Sequence, residues 1–179
     1  MKELNREHFA VRQHMNQEKL GNVRYTTMIK ILFICLGNIC RSPMAEFVMK
    51  DLVNKAGLSD QFEIASAATS AWEIGNPVYT PARQKLAEHG ISCEGKTARQ
   101  MISHDYEKYD YLIAMDHSNL RDILQLTGGD PDHKLSLLME HTGHPHDVAD
   151  PWYTRNFEVT WQDVLEGCTA LLKTLRQEL

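Results

Sequence analysis

Residues 35–43 read Cys35-Leu36-Gly37-Asn38-Ile39-Cys40-Arg41-Ser42-Pro43, with a thiol and a guanidinium at the two ends of a turn-prone segment. The five residues between Cys35 and Arg41 let the backbone curl into a cup. Gly37 and Asn38 tolerate the positive φ that such a curl requires. Successive N–H groups, those of Leu36, Gly37, Asn38, Ile39, Cys40 and Ser42, then turn inward as an anion nest. Arg41 offers a planar fork to two oxygens of a tetrahedral anion. A cysteine in such a field is expected as the reactive thiolate. The segment therefore reads as a cup that binds an oxyanion such as phosphate and presents a nucleophile beneath it. A Walker loop needs Gly-Lys followed by Ser or Thr, and a dinucleotide fingerprint needs three spaced glycines; neither is present. Cys35 and Cys40 have no nearby His or Cys to complete a zinc site, so no metal or cofactor is expected.

Such a cup must be mounted on regular elements. Ile29–Cys35 is a dense β-branched and aromatic run, which reads as a buried parallel strand. Ser42 as a cap and Pro43 at the first helical position open a helix in which Phe47, Val48, Leu52 and Val53 recur at helical spacing, closed by Gly57. Further strands are expected at Phe62–Ala68, Tyr109–Met115 and Leu135–Met139. Helices are expected from Thr80, as cap to Pro81, to about His89, and over Ser118–Leu126 before Gly128-Gly129. From Phe157 to Leu175, Phe157, Trp161, Val164, Leu165, Cys168, Leu171, Leu172 and Leu175 form one apolar stripe. Loops are expected at Thr69–Val78 and Glu140–Thr154. Strands alternating with helices give an α/β fold with a mostly parallel sheet. Ligands in such sheets bind at the carboxyl ends of the strands, where Cys35 stands.

The 179 residues suit one domain, and with 42% hydrophobic and 24% charged residues the chain is expected to fold without disulfides. A formal net charge of −5 lacks the basic footprint of a nucleic-acid binder. No apolar run approaches a membrane span, and no secretory h-region opens the chain. With Cys35, Cys40, Cys93 and Cys168 read as reduced, a cytoplasmic location is expected. Residues 1–27 are polar and weakly patterned. They read as a flexible N-terminal extension without a catalytic role, ahead of a domain over 28–179.

The segment from Cys35 to Pro43 resembles the phosphate loop of the low-molecular-weight protein-tyrosine phosphatases. The resemblance extends to Ser66-Ala67-Ala68-Thr69-Ser70 with Trp72-Glu73-Ile74-Gly75-Asn76-Pro77, to Ala98-Arg99-Gln100, to Met115-Asp116-His117-Ser118-Asn119-Leu120, and to Asp150-Pro151-Trp152-Tyr153. It implies a flavodoxin-like, doubly wound sheet of four parallel strands flanked by helices. It also implies roles. Cys35 attacks phosphorus and becomes phosphocysteine, Arg41 binds the phosphoryl oxygens, and Ser42 donates to the sulfur. Asn38 holds the loop backbone with Ser66 among its partners, and Asp116 supports the loop. Asp150 is the general acid and then the base, with Pro151 stiffening its loop. Trp72, Trp152 and Tyr153 wall the cleft. Cys35 and Cys40 form a protective, reversible disulfide under oxidant. The implied partners are tyrosine-phosphorylated proteins as substrates, for a monomer or weak homodimer.

Two departures from the resemblance matter. Lys96 stands where many relatives carry a histidine that helps hold the phosphate-loop asparagine, which calls one supporting contact into question. Trp152-Tyr153 replaces a pair of tyrosines. Three other readings compete with phosphotyrosine hydrolysis. An arsenate reductase needs relay cysteines close together, whereas Cys93 and Cys168 stand 75 positions apart. A protein-arginine phosphatase tends to carry Thr where Ile39 stands. A non-catalytic phosphate-binding module has no use for both Cys35 and Asp150. His141, His144 and His146 with Asp147 read as a solvated loop rather than a metal site, Cys168 as core, and Cys93 as incidental.

Overall fold

A computed structural model describes residues 28–179 of the chain. The extension expected over residues 1–27 lies outside the described residues. Four strands, β1 (Ile29–Cys35), β2 (Phe62–Ala68), β3 (Tyr111–Ala114) and β4 (Leu135–Leu137), form one sheet in the order β2-β1-β3-β4, parallel throughout. Among the described residues, six α-helices flank it: α1 (Arg41–Lys55), α2 (Thr80–Glu88), α3 (Ser103–Lys108), α4 (His117–Thr127), α5 (Pro151–Thr154) and α6 (Phe157–Leu175). No helix among the described residues is long and apolar enough to cross a membrane.

The continuous apolar run of β1 follows from its place in the sheet. It is paired on both edges, and helices cover both of its faces. Ile29, Ile31, Phe33 and Cys35 pack into the core built with α1, α2 and α6, while Leu32 and Ile34 pack with Met101, Leu112 and Ile123 on the other side. Strand order reverses direction at β1 and β3, whose carboxyl ends carry Cys35 and, two residues past β3, Asp116. This is where a doubly wound sheet opens a crevice for ligands.

Several expected boundaries move, each for a local reason. Ser42 does not cap α1: the helix starts at Arg41 and its N-cap is Cys40, because the Ser42 hydroxyl faces Cys35 and Asn38 instead. Thr80 is likewise inside α2, with Tyr79 at the cap position. The third strand is shorter than Tyr109–Met115, since Tyr109 ends a helix, α3, that no apolar stripe announced. Asp105 holds α3 by accepting from the Ile102 N–H and pairing with Arg99. The fourth strand gives way at Leu138 to a 3₁₀ turn. The loop expected to run to Thr154 ends in α5, whose Asp150-Pro151 start combines an N-cap acid with proline in the first turn.

One charge is buried beneath the sheet's functional end. Glu46, on α1, is 4% exposed, yet it accepts from Ser66 Oγ and pairs with Lys50 at 2.6 Å and Lys96 at 3.1 Å. Burial pushes its carboxyl up, but Lys96, Lys50 and Ser66 together hold it below the ordinary 4.5. Its ionised form therefore favours the folded state above about pH 4.5, and that contribution fades as pH falls through the lower folded value. Glu46→Gln should lose about 1–3 kcal/mol at pH 7. Melting curves should show the gap to the parent shrinking as pH falls further below 4.5, and a gap that does not change with pH would mean that the charge is idle. A second prediction concerns Gly167, where α6 crosses the 3₁₀ turn. A Cβ there would meet Leu138 Cγ at 2.5 Å. Gly167→Ala should lower Tm by roughly 2–4 °C, because overpacking outweighs the better helix propensity of alanine. A higher Tm would refute that balance.

Candidate active site

Cys35 ends β1 and Arg41 starts α1, so residues 36–40 form a loop tied at both ends. Three of its five carbonyls are engaged from outside the loop. Leu36 O accepts from Ser70 N and Oγ, Ile39 O from Tyr79 N, and Cys40 O from Met44 N. The N–H groups of Gly37, Ile39 and Cys40 donate to no protein acceptor among the described residues. Carbonyls out and N–H groups unpaired is the arrangement of an anion nest. Asn38 makes the curl with φ at 58°, the left-handed region that Asn tolerates better than most residues.

Asn38 is fully buried, and every side-chain donor and acceptor it has is used. Its Oδ1 accepts from Arg99 N at 3.2 Å, which fixes the amide orientation. The two Nδ2 hydrogens then go to Ser42 Oγ and Ser66 Oγ, both at 2.8 Å. Ser66, as a donor, passes its own hydrogen to Glu46. Ser42 Oγ, already accepting from Asn38, has one hydrogen left. Cys35 Sγ lies 3.1 Å away and Ala67 O 3.4 Å away, so the sulfur is the nearer acceptor. Asn38 N–H also points at Cys35 Sγ, at 3.3 Å. The sulfur thus lies against the Asn38 N–H and the Ser42 hydroxyl.

Arg41 is 3% exposed and lies between two carboxylates: Nη1 donates to Asp116 Oδ2 at 2.6 Å and Nη2 to Asp150 Oδ2 at 2.9 Å. Nη1 also reaches Val148 O at 3.2 Å. Three of the five N–H groups of a guanidinium are thereby engaged, and two remain for an anion. Burial works against its charge, but Cys35, Asp150 and Asp116 hold the guanidinium more firmly protonated than usual. Asp116 and Asp150 have the same construction. In each, one oxygen caps a helix, by accepting from Asn119 N at 2.7 Å or Trp152 N at 3.0 Å, and the other binds Arg41.

Of the aromatic side chains expected to wall a cleft, Trp72 and Tyr153 are each 77% exposed, and Trp152 is half-exposed with its ring centroid 5.4 Å from that of Tyr79, a neighbour that the sequence reading missed. Glu46 was missed as well, since a lone acid inside an apolar helical stripe looks like a surface charge. Lys96 does not reach Asn38; it reaches the same network one step later, donating to Ser66 O at 3.1 Å and pairing with Glu46. Cys40 is buried, and burial together with Cys35 and Asp150 pushes its thiol up to about 12. Cys168 is core, with its thiol raised by burial alone, and Cys93 is buried as well. His117, His144 and His146 each pair with a separate carboxylate, Asp147, Glu166 and Asp163 respectively. No three His, Cys, Asp or Glu side chains among the described residues come together as a metal-binding group.

Cys35, Asn38, Ser42 and Ser66 therefore meet in one hydrogen-bonded set, and Arg41, Asp116 and Asp150 in a second, joined to the first where Arg41 precedes Ser42 in the chain. The description "low molecular weight phosphotyrosine protein phosphatase" belongs to the family model that matches residues 30–179. The chain is 40% identical over 153 residues to the low molecular weight protein-tyrosine-phosphatase YfkJ of Bacillus subtilis, covering 84% of this chain and 98% of that one. The crystal structure of YfkJ superposes with a TM-score of 0.82, covering 85% of this chain and 97% of that one. The low molecular weight protein tyrosine phosphatase of Streptococcus pyogenes is similar at 42% identity and a TM-score of 0.75, over 83% of this chain and 93% of that one. A Drosophila arginine phosphatase is similar at 31% identity and a TM-score of 0.77, over 83% of this chain and 98% of that one. Flavodoxin-like in fold, with its strands in the order β2-β1-β3-β4, the chain belongs to the low-molecular-weight protein-tyrosine phosphatase family of hydrolases.

Proposed function

We propose that the chain hydrolyses phosphotyrosine in proteins, and small aryl phosphates, through a phosphocysteine on Cys35. The observation that carries this reading is the placement of Cys35 Sγ against the Asn38 N–H and the Ser42 hydroxyl, with Arg41 tying the loop to Asp150. The phosphoryl dianion enters the cup of N–H groups from Leu36 to Ser42, and the two remaining N–H groups of Arg41 take its oxygens. Negative charge arriving at Arg41 competes with Asp150 for Nη2 and frees that carboxyl oxygen to face the leaving group. Cys35 Sγ then attacks phosphorus, and the P–O bond to the ring breaks. Asp150 gives its proton to the departing phenol oxygen. Arg41 and the loop N–H groups stabilise the charge on the equatorial oxygens. In the second step Asp150, now a carboxylate, takes a proton from water. That water attacks phosphorus, the S–P bond breaks, and the Ser42 hydrogen bond receives the returning thiolate. Trp72, Trp152 and Tyr153 serve as walls for the substrate ring, with Tyr79 behind Trp152.

The general-acid role has a signature. A phenol with a pKa near ~10 needs the proton, and a strongly activated phenol leaves without it. Asp150→Ala should slow phosphotyrosine hydrolysis by about 10²–10⁴-fold and the dinitrophenyl ester far less. Equal losses on both esters would overturn the assignment. Rapid release from phosphoarginine with slow release from phosphotyrosine would move the substrate class to that named for the Drosophila relative.

Cys40 is the proposed resolving thiol. Peroxide oxidises the Cys35 thiolate to a sulfenic acid. The Cys40 sulfur then attacks the Cys35 sulfur and expels water, leaving a disulfide. With its thiol raised to about 12, Cys40 stays protonated through the neutral range and does not compete with Cys35 for electrophiles. Iodoacetamide near pH 7 should therefore label Cys35 ahead of Cys40. After equal peroxide doses, dithiothreitol should restore most of the parent's activity and little of that of Cys40→Ser, each relative to its own untreated rate. Equal recovery would refute the protective role.

A further inference from the structure

Arg155 ends α5 in the left-handed region, at φ 58° and ψ 11°. That conformation disfavours a side chain and is ordinarily left to glycine or asparagine at a helix C-terminus. Its guanidinium lies over the Trp152 ring, 5.4 Å from the centroid, within cation–π range. The Trp152 ring meets Tyr79 as well, so the platform under the cation is braced. No carboxylate reaches ion-pair distance of Arg155 among the described residues. Glu158, three residues on, is engaged by Lys85 and Gln162. Arg41, by contrast, is neutralised by two carboxylates. On a chain of net charge −5, Arg155 is thus an exposed, uncompensated cation held beside the proposed acid.

The spacing gives that cation a target. Asp150 and Arg155 bound the same short helix, so their Cα atoms lie roughly 8 Å apart at ~1.5 Å rise per residue. Asp150 addresses the oxygen joining phosphorus to the tyrosine ring. That oxygen stands at the far end of the tyrosine side chain, so the substrate backbone lies a side chain's length from Asp150, where an extended peptide advancing ~3.3–3.6 Å per residue carries a flanking side chain towards the long side chain of Arg155. We infer that Arg155 is a specificity residue: held on Trp152, its guanidinium pairs with the carboxylate of an Asp or Glu flanking the phosphotyrosine of the substrate. This rests on the phosphotyrosine reading above and adds the sequence class of the substrate to it.

The test uses two phosphotyrosine peptides that differ only in carrying Glu or Gln at the flanking positions. The readout is the ratio of their kcat/KM values within each enzyme, so damage common to both peptides cancels. The full-length parent should favour the Glu peptide by about two- to five-fold at low ionic strength, the size of an exposed ion pair, with the difference in KM. The preference should fall towards unity at roughly 0.5 M salt. Arg155→Gln should bring the ratio to one, Arg155→Lys should restore part of it, and Arg155→Glu should invert it. A parent that treats both peptides alike, or an Arg155→Gln variant that keeps the parent's ratio, overturns the inference alone. A parent that hydrolyses neither peptide nor para-nitrophenyl phosphate overturns the phosphatase reading, and this inference with it.

Discussion

The arrangement depends on a single buried amide. Asn38 has a left-handed backbone inside the protein, a position from which most residues would be driven by sterics and by unpaired polar atoms. It is stable there because its carbonyl and both amide hydrogens have partners on three different elements: the segment at Arg99, the start of α1 at Ser42, and β2 at Ser66. The direction of each hydrogen bond is forced by the next. With both amide hydrogens donated, the two serine hydroxyls turn their own hydrogens elsewhere, Ser66 to Glu46 and Ser42 to the Cys35 sulfur and Ala67 O beside it. The strained turn and the donor aimed at the nucleophile are therefore one feature. A partly satisfied version of such a network would be worse than none, because each unpaired buried group carries its full desolvation penalty.

A second constraint is charge. Arg41 is almost wholly buried, and a buried guanidinium is tolerated only with partners in good geometry. Asp116 and Asp150 supply them, each with the oxygen not already used to cap a helix. The caps fix where the carboxylates stand, and the carboxylates fix the plane of the guanidinium. The loops after β3 and before α5 are thereby tied to the phosphate loop through one side chain. An anion that takes donors from Arg41 is felt directly at Asp150, which is how substrate binding and proton delivery are coupled in the proposed reaction.

The elements whose formation depends on apolar pattern were legible in the sequence. β1 and β2 have the expected bounds, as does α6 with its stripe from Phe157 to Leu175. Patterning failed where polar contacts decide. α3 is a polar hexapeptide held by Asp105 and Arg99, with no stripe to read. Ser42 looked like a helix cap because serine before proline ordinarily is one, but the site had a stronger use for its hydroxyl. The cup, Arg41 and Ser42 could be read from local spacing, whereas Ser66, Asp116 and Asp150 come from distant parts of the chain and rested on resemblance. Glu46 and Tyr79 lay beyond both, since burying a lone helical acid or setting a tyrosine ring at a tilt against Trp152 depends on three-dimensional neighbours that no local window contains.

Lys96 shows how a support can be kept while its chemistry changes. The contact expected to be lost was one to Asn38, and Lys96 makes none. It acts one bond further out, donating to the Ser66 carbonyl and pairing with the carboxylate that orients the Ser66 hydroxyl. For the network this is enough, because Asn38 needs a hydroxyl lone pair facing it, and that lone pair faces it only while the Ser66 hydrogen is drawn towards an ionised Glu46. Lys96 places an ammonium beside that carboxylate. Together with Lys50 it holds Glu46 ionised, and so holds the Ser66 hydroxyl in one orientation. The charge of Glu46 thus reaches the Ser42 hydroxyl beneath the Cys35 sulfur through the Ser66 hydroxyl and the Asn38 amide.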